Sequence, residues 1–157
     1  MAGMAKEKEM AKFAYRLESR RVREPDFPYT TADRILSAEA AIKFALSMED
    51  LDIEKFVVLY LDAKNKLIGI HISPGTANQA SVYPREVFKH ALLSGASSIV
   101  LVHNHPSGHL QPSDEDLRVT KTIMDAAKLF DVYVHDHILV ANGEGMSFRE
   151  EGYMAPP

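Results

Sequence analysis

The sequence predicts a single α/β domain of the α+β kind, a mixed β-sheet flanked by helices. Three observations carry that expectation. Residues 54–62 and 67–72 are apolar runs joined across the polar segment Ala63-Lys64-Asn65-Lys66, which reads as a β-hairpin. Residues 98–102, Ser-Ile-Val-Leu-Val, form the short continuous apolar run of a buried strand, and a segment of helical periodicity separates them from a second β-rich run at 132–141. A hairpin beside a strand-helix-strand crossover implies a sheet of mixed direction. With 157 residues, 46% of them hydrophobic, the chain can bury one ordinary core, and nothing in it calls for a second domain.

Taken in order, residues 1–12 read as a polar leader, and 13–30 hold one strand candidate around Tyr15 and Leu17 before the turn-rich Pro25-Asp26-Phe27-Pro28. Residues 1–30 are therefore expected to form a charged N-terminal leader and 31–157 the folded domain. Ser37 stands where an N-cap belongs, ahead of Ala41, Ile42, Ala45 and Leu46 at helical spacing. The hairpin follows, then a loop at Ser73-Pro74-Gly75. Pro84 is expected to open a helix through Ser94, with proline at the first helical position and Gly95 as its stop. Ser113 caps a helix reaching Phe130, along which Leu117, Thr120, Met124 and Ala127 recur at helical spacing. The last strand ends near Ala141, before an Asn142-Gly143 turn.

Chemistry concentrates in His103-Asn104-His105-Pro106-Ser107-Gly108, followed by Pro112-Ser113 and then Asp116. Side chains alternate across a strand, so two histidines two apart project from one face and Asn104 from the other. Both imidazoles can then reach one ion where the buried strand emerges. Pro106 favours extended geometry at His105, and Pro-Ser-Gly turns the chain so that Asp116 returns in the first turn of the next helix. Two nitrogens and a carboxylate oxygen suit Zn²⁺, and three protein ligands leave a fourth position, as catalytic zinc sites do. Ser113-x-x-Asp116 is also a capping box, an ordinary helix start, and the spacing alone leaves both readings open.

The whole pattern, H-x-H followed after seven residues by S-x-x-D, resembles the JAMM (MPN+) signature of zinc isopeptidases. Upstream, the run YPREVFKHAL from Tyr83 to Leu92, and downstream, Asp136-His137-Ile138-Leu139-Val140 and Ser147-Phe148, resemble the bacterial RadC family specifically. The resemblance spans residues 50–153. It implies the three-layer JAB/MPN, or cytidine-deaminase-like, architecture. It also implies a zinc site of His103, His105 and Asp116, with Ser113 near the reacting water and a glutamate from an earlier strand as general acid/base. Ser113 would then donate to the developing oxyanion. In JAMM proteins the glutamate precedes a strand of the form E-x-x-G-x-L-x-G. Glu54 begins an apolar strand here, though without either glycine, and is the expected acid/base; Glu86, in the Pro84-Arg85-Glu86 helix start, is its rival. The ordinary readings are a solvated strand end for Glu54 and a complement to the helix N-terminus for Glu86.

A second H-x-H, His135-Asp136-His137, lies mid-strand with no carboxylate following at comparable spacing. It is expected to hold no metal of its own; Asp136 or His137 is instead expected to support a zinc-bound histidine by hydrogen bonding. His71, His90 and His109 carry no functional argument.

Composition excludes several classes. The absence of cysteine removes disulfides, thiol nucleophiles, thiolate zinc sites and the zinc deaminases of nucleobases, which need H-x-E and P-C-x-x-C. No apolar run approaches the ~18 residues of a membrane span, and the charged N-terminus lacks a signal-peptide core, so a cytoplasmic enzyme is expected. Residues 1–24 hold seven Lys/Arg against four Asp/Glu, whereas the remainder holds 11 against 18 and is acidic. Only Arg20-Arg21-x-Arg23 resembles a phosphate-binding stripe, and a solvated charged segment accounts for it better. Full-length RadC-like proteins also carry an N-terminal helix-hairpin-helix region, and the leader lacks its glycine-containing hairpins, so a DNA-repair label is expected to transfer poorly. The leading expectation is a zinc-dependent hydrolase of amide, peptide or isopeptide bonds acting on a peptide or protein. The alternatives are a DNA-metabolism accessory factor or nuclease, and an inactive metal-binding scaffold. Substrate and oligomeric state are not readable in the sequence.

Overall fold

The computed structural model describes residues 34–47, 53–73 and 82–155. The expected leader, its strand at Tyr15 and Leu17, the turn at residues 25–28 and the loop at Pro74-Gly75 lie outside the described residues. The described chain runs α1 (Ala38–Leu46), β1 (Phe56–Leu61), β2 (Leu67–Ser73), α2 (Pro84–Ser94), β3 (Ser98–Asn104), α3 (Asp114–Leu129), β4 (Tyr133–Ala141) and β5 (Glu144–Ser147).

Local signals set the helix ends. The Ser37 hydroxyl accepts the Ala40 N–H at 3.2 Å and starts α1. Pro84 lacks the N–H that the first turn of α2 would leave unpaired, and Gly95 ends that helix at φ 69°, a conformation that penalises a Cβ. Ser113 and Asp116 form a full capping box on α3.

The sheet order is β2-β1-β3-β4-β5, with β3 and β4 parallel and the other pairs antiparallel. The expected mixed sheet is therefore present, with the crossover running through α3. All residues of β1 and β3 are buried, which is why both read as unbroken apolar runs: each is central and covered on both faces. Val57, Leu59, Leu61, Val100, Val102, Ile138 and Val140 pack with Ala41, Phe44 and Ala45 of α1. Phe56, Val58, Tyr60, Ile99 and Leu101 pack with Val87, Phe88 and Ala91 of α2 and Ile123 and Ala127 of α3. The result is three layers, helix on sheet on helices.

Two features escaped apolar periodicity. The Asn142-Gly143 turn has φ of 51° and 80°, the two left-handed residues of a hairpin whose twist matches its strands. It returns the chain as β5, whose sequence Glu-Gly-Met-Ser carries one large apolar side chain and so gives little strand signal. A Cβ on Gly145 would lie 2.4 Å from Ile42 Cγ2, so glycine is what lets α1 settle against this hairpin. The second feature is a bulge in β4: Ile99 faces Val134 but Val100 faces Asp136, leaving His135 without a partner.

Candidate metal centre

The site lies where the start of β1, the end of β3 and the start of α3 meet. β1 and β3 are antiparallel, with Phe56 opposite His103, so the residues before β1 lie beside the end of β3, and α3 begins a short turn later. His103 projects with Ile99 and Leu101 from the face covered by α2 and α3, and it is buried. His105 follows the strand end on the same side. Gly108, at φ 80°, closes the Pro-Ser-Gly turn by donating its N–H to the His105 carbonyl at 3.0 Å. The turn leads the chain to α3, where Asp116 stands in the first turn.

One ligand atom each from Glu54, His103, His105 and Asp116 lies within 4.8 Å of all the others. The Nε2 atoms of His103 and His105 are 3.0 Å apart, and Asp116 Oδ1 and Oδ2 lie 3.2 Å and 3.4 Å from them respectively. A tetrahedral ion with bonds of about 2.0–2.1 Å holds its donors about 3.4 Å apart, so the two nitrogens and the Asp116 carboxylate are spaced like ligands of one ion. His105 Nδ1 is 2.9 Å from the His109 carbonyl, which can only accept, so Nδ1 carries a proton, and it is Nε2 that gives up its proton and turns a lone pair inward when the ring is neutral. The residues can hold a metal ion, and their donor chemistry fits zinc.

Burial alone would raise the Asp116 pKa, but the facing His103 and His105 rings and the Ser113 hydroxyl hold it far below the ordinary carboxylate range. Burial would lower His105, yet the Asp116 carboxylate and the His109 carbonyl lift it above its ordinary value. His137 is fully buried, and that burial pushes its pKa well below 6.5, so its ring is neutral.

Glu54 precedes β1, and Asn104 holds it there. From the opposite face of β3 the Asn104 Oδ1 accepts the Lys55 N–H at 2.8 Å, and Nδ2 donates to the Ile53 carbonyl at 3.3 Å, gripping the backbone on both sides of Glu54. Glu86 instead stands on α2, ion-paired with Lys89. Asn104→Ala is expected to leave the Lys55 N–H without its partner, lowering stability by about 1–3 kcal/mol, while metal content stays at the wild-type level; urea denaturation and elemental analysis together check this.

Ser113 serves the helix start. Its hydroxyl accepts the Asp116 N–H at 3.1 Å and donates to Asp116 Oδ2 at 2.7 Å, while its own N–H donates to the same oxygen at 2.7 Å. It lies beside the metal-capable group and is exposed. Capping and proximity to the site therefore coincide in one residue.

The second H-x-H is split by the β4 bulge. His135 Nε2 lies 2.9 Å from Asn65 Oδ1 in the hairpin turn, far in role from His137, whose Nε2 lies 2.8 Å from His103 Nδ1. Strand alternation would have put both rings on one face; the extra residue defeats it. Asp136 does not reach the histidine pair through its side chain. It accepts the backbone N–H groups of His137 and Arg149 and the Ser147 hydroxyl, so it braces the β4–β5 hairpin behind His137. Thr120, read in the sequence only as a helical core position, bonds to His137 Nδ1 at 2.6 Å. Its place one helical turn after Asp116 was the available signal, since residues four apart share a face.

A mixed sheet between helices, with paired histidines at the end of a central strand and a carboxylate on the next helix, defines a JAB-type domain. Residues 35–153 match the RadC-like JAB domain, and the chain belongs to that family. It is similar to a UPF0758 protein of Caldanaerobacter subterraneus subsp. tengcongensis, 46% identical over 121 residues, 76% of this chain and 52% of that protein. UPF0758 proteins of Methanosarcina acetivorans and Paracidovorax citrulli are 44% identical over 102 residues and 53% identical over 100, covering 64% and 63% of this chain and 44% and 42% of theirs. The chain thus spans about half the length of the curated relatives it matches. Among the described residues, no helix is long and apolar enough to cross a membrane.

Proposed function

We propose that this domain is a zinc-dependent hydrolase of amide, peptide or isopeptide bonds in a peptide or protein substrate. The observation that carries the reading is the Glu54 carboxylate, which lies within 4.8 Å of the ligand atoms of His103, His105 and Asp116. In this reading His103, His105 and Asp116 hold the ion and Glu54 moves the proton. When bound, zinc supplies Lewis acidity that activates water at neutral pH and polarises the attacked carbonyl. Glu54 takes the proton from the attacking water and delivers it to the departing nitrogen. Ser113 donates its hydroxyl to the developing oxyanion after turning it away from Asp116 Oδ2, its acceptor in the resting geometry. An inert scaffold would not need a glutamate whose flanking backbone is pinned beside the donors, so the hold of Asn104 on residues 53 and 55 favours catalysis over that alternative. Nuclease chemistry commonly relies on hard ions held by several carboxylates, and a histidine pair suits it less well.

The test is cleavage of a pooled peptide and isopeptide-linked library in ¹⁸O-labelled water, with zinc-loaded and chelator-treated protein compared. Metal-dependent products carrying the label in the new carboxylate are expected. Zinc-free protein after refolding in excess zinc would sink the reading.

A further inference from the structure

We propose that Thr120 and His137 are positioning residues that fix the ring tautomer of His103, so that its Nε2 always presents a lone pair to the metal-capable group. The inference rests on the metal reading above and concerns a chain of three contacts behind it: His103 Nδ1 to His137 Nε2 at 2.8 Å, His137 Nδ1 to Thr120 Oγ1 at 2.6 Å, and Thr120 Oγ1 to the Asp116 carbonyl at 2.6 Å.

Proton counting gives the chain one direction. The Asp116 carbonyl oxygen has no hydrogen, so the contact with Thr120 uses the single hydroxyl proton of Thr120. Thr120 therefore has none to offer His137, and His137 Nδ1 must be the donor between them. The His137 ring is wholly buried and packs against Phe56, Phe148 and His103, surroundings in which an imidazolium would be costly. A neutral ring that carries its proton on Nδ1 has a lone pair on Nε2. His103 Nδ1 must then be the donor to it, and the neutral His103 ring is left with its lone pair on Nε2, the atom 3.2 Å from Asp116 Oδ1 and 3.0 Å from His105 Nε2.

The circuit closes on itself. Asp116 contributes its carboxylate to the site and its backbone carbonyl to the far end of the relay, so the first turn of α3 sets one donor directly and a second through Thr120 and His137. A backbone carbonyl has no proton to donate, which makes it a fitting anchor. Partners of this kind hold a ligating imidazole's tautomer and orientation, and their loss typically weakens metal binding about 10–100-fold.

The test uses Thr120→Val, which keeps the shape and removes the hydroxyl, Thr120→Ser, which restores it, and the wild type, all checked for folding by circular dichroism. Nitrogen-15 NMR of the metal-free wild type at alkaline pH is expected to find His103 protonated at Nδ1. Zinc affinity, measured by chelator competition, is expected to fall about 10–100-fold in Thr120→Val and to return in Thr120→Ser. His103 protonated at Nε2 in the metal-free wild type overturns the proposal whether or not zinc binds. So does a folded Thr120→Val protein that keeps wild-type affinity. A wild-type protein with the expected tautomer but no affinity for zinc would overturn the metal reading instead.

Discussion

Glu54→Gln is expected to retain its metal and lose hydrolysis. Glutamine has the shape and the hydrogen-bonding reach of glutamate but cannot accept the proton of an attacking water or pass it to a leaving nitrogen, and general acid–base catalysis contributes about 10²–10⁴-fold. The residue's position separates it from folding. It lies before β1, outside the strand, and the grip on the local backbone comes from Asn104 bonding to residues 53 and 55, contacts that the substitution leaves in place. The geometry therefore predicts a folded, metal-loaded protein whose turnover number drops by that factor. Side-by-side elemental analysis and rate measurement on one preparation check it. A variant that kept its rate would remove Glu54 from the chemistry, and one that lost its metal would make Glu54 a ligand.

His105→Ala is expected to abolish stoichiometric metal binding in a protein that still folds. Losing a direct donor should weaken the site by more than the ~100-fold upper range for a supporting residue, or more than about 2.7 kcal/mol. The fold should tolerate the change because His105 follows the end of β3, with 13% of its side chain exposed, and its loss opens no hole in either core layer. Asp116→Asn is the informative companion. Asparagine still offers an oxygen to the Ser113 N–H, so most of the helix cap survives, but the anionic donor facing both histidines is gone. Metal loss in both variants with unchanged circular dichroism would assign the pair as ligands. Metal retained in Asp116→Asn would leave Ser113 and Asp116 as a helix start only.

How far the sequence reached depended on the range of the interactions involved. Helix ends were legible because capping is local: Ser37, Pro84 with Gly95, and Ser113 act on backbone groups within about a turn. The central strands were legible because burial on both faces forces an apolar run. The H-x-H and the carboxylate of the following helix were legible because strand alternation and a short turn tie them together along the chain. β5 left only its Asn-Gly turn as a sign, since a short strand with a glycine in close contact with Ile42 has little hydrophobic pattern to offer.

By itself, then, the sequence determined a mixed sheet flanked by helices and three of the four residues at the site, each fixed by neighbours a few positions away. The tertiary structure alone decided which glutamate joins them, because Glu54 reaches His103 only through the pairing of β1 with β3 and the hold of Asn104, while Glu86 is carried away on α2. It also decided that one histidine of the second H-x-H backs the site and the other does not. That choice is made by a single unpaired residue in β4, and strand register belongs to the pairing of two strands rather than to either one.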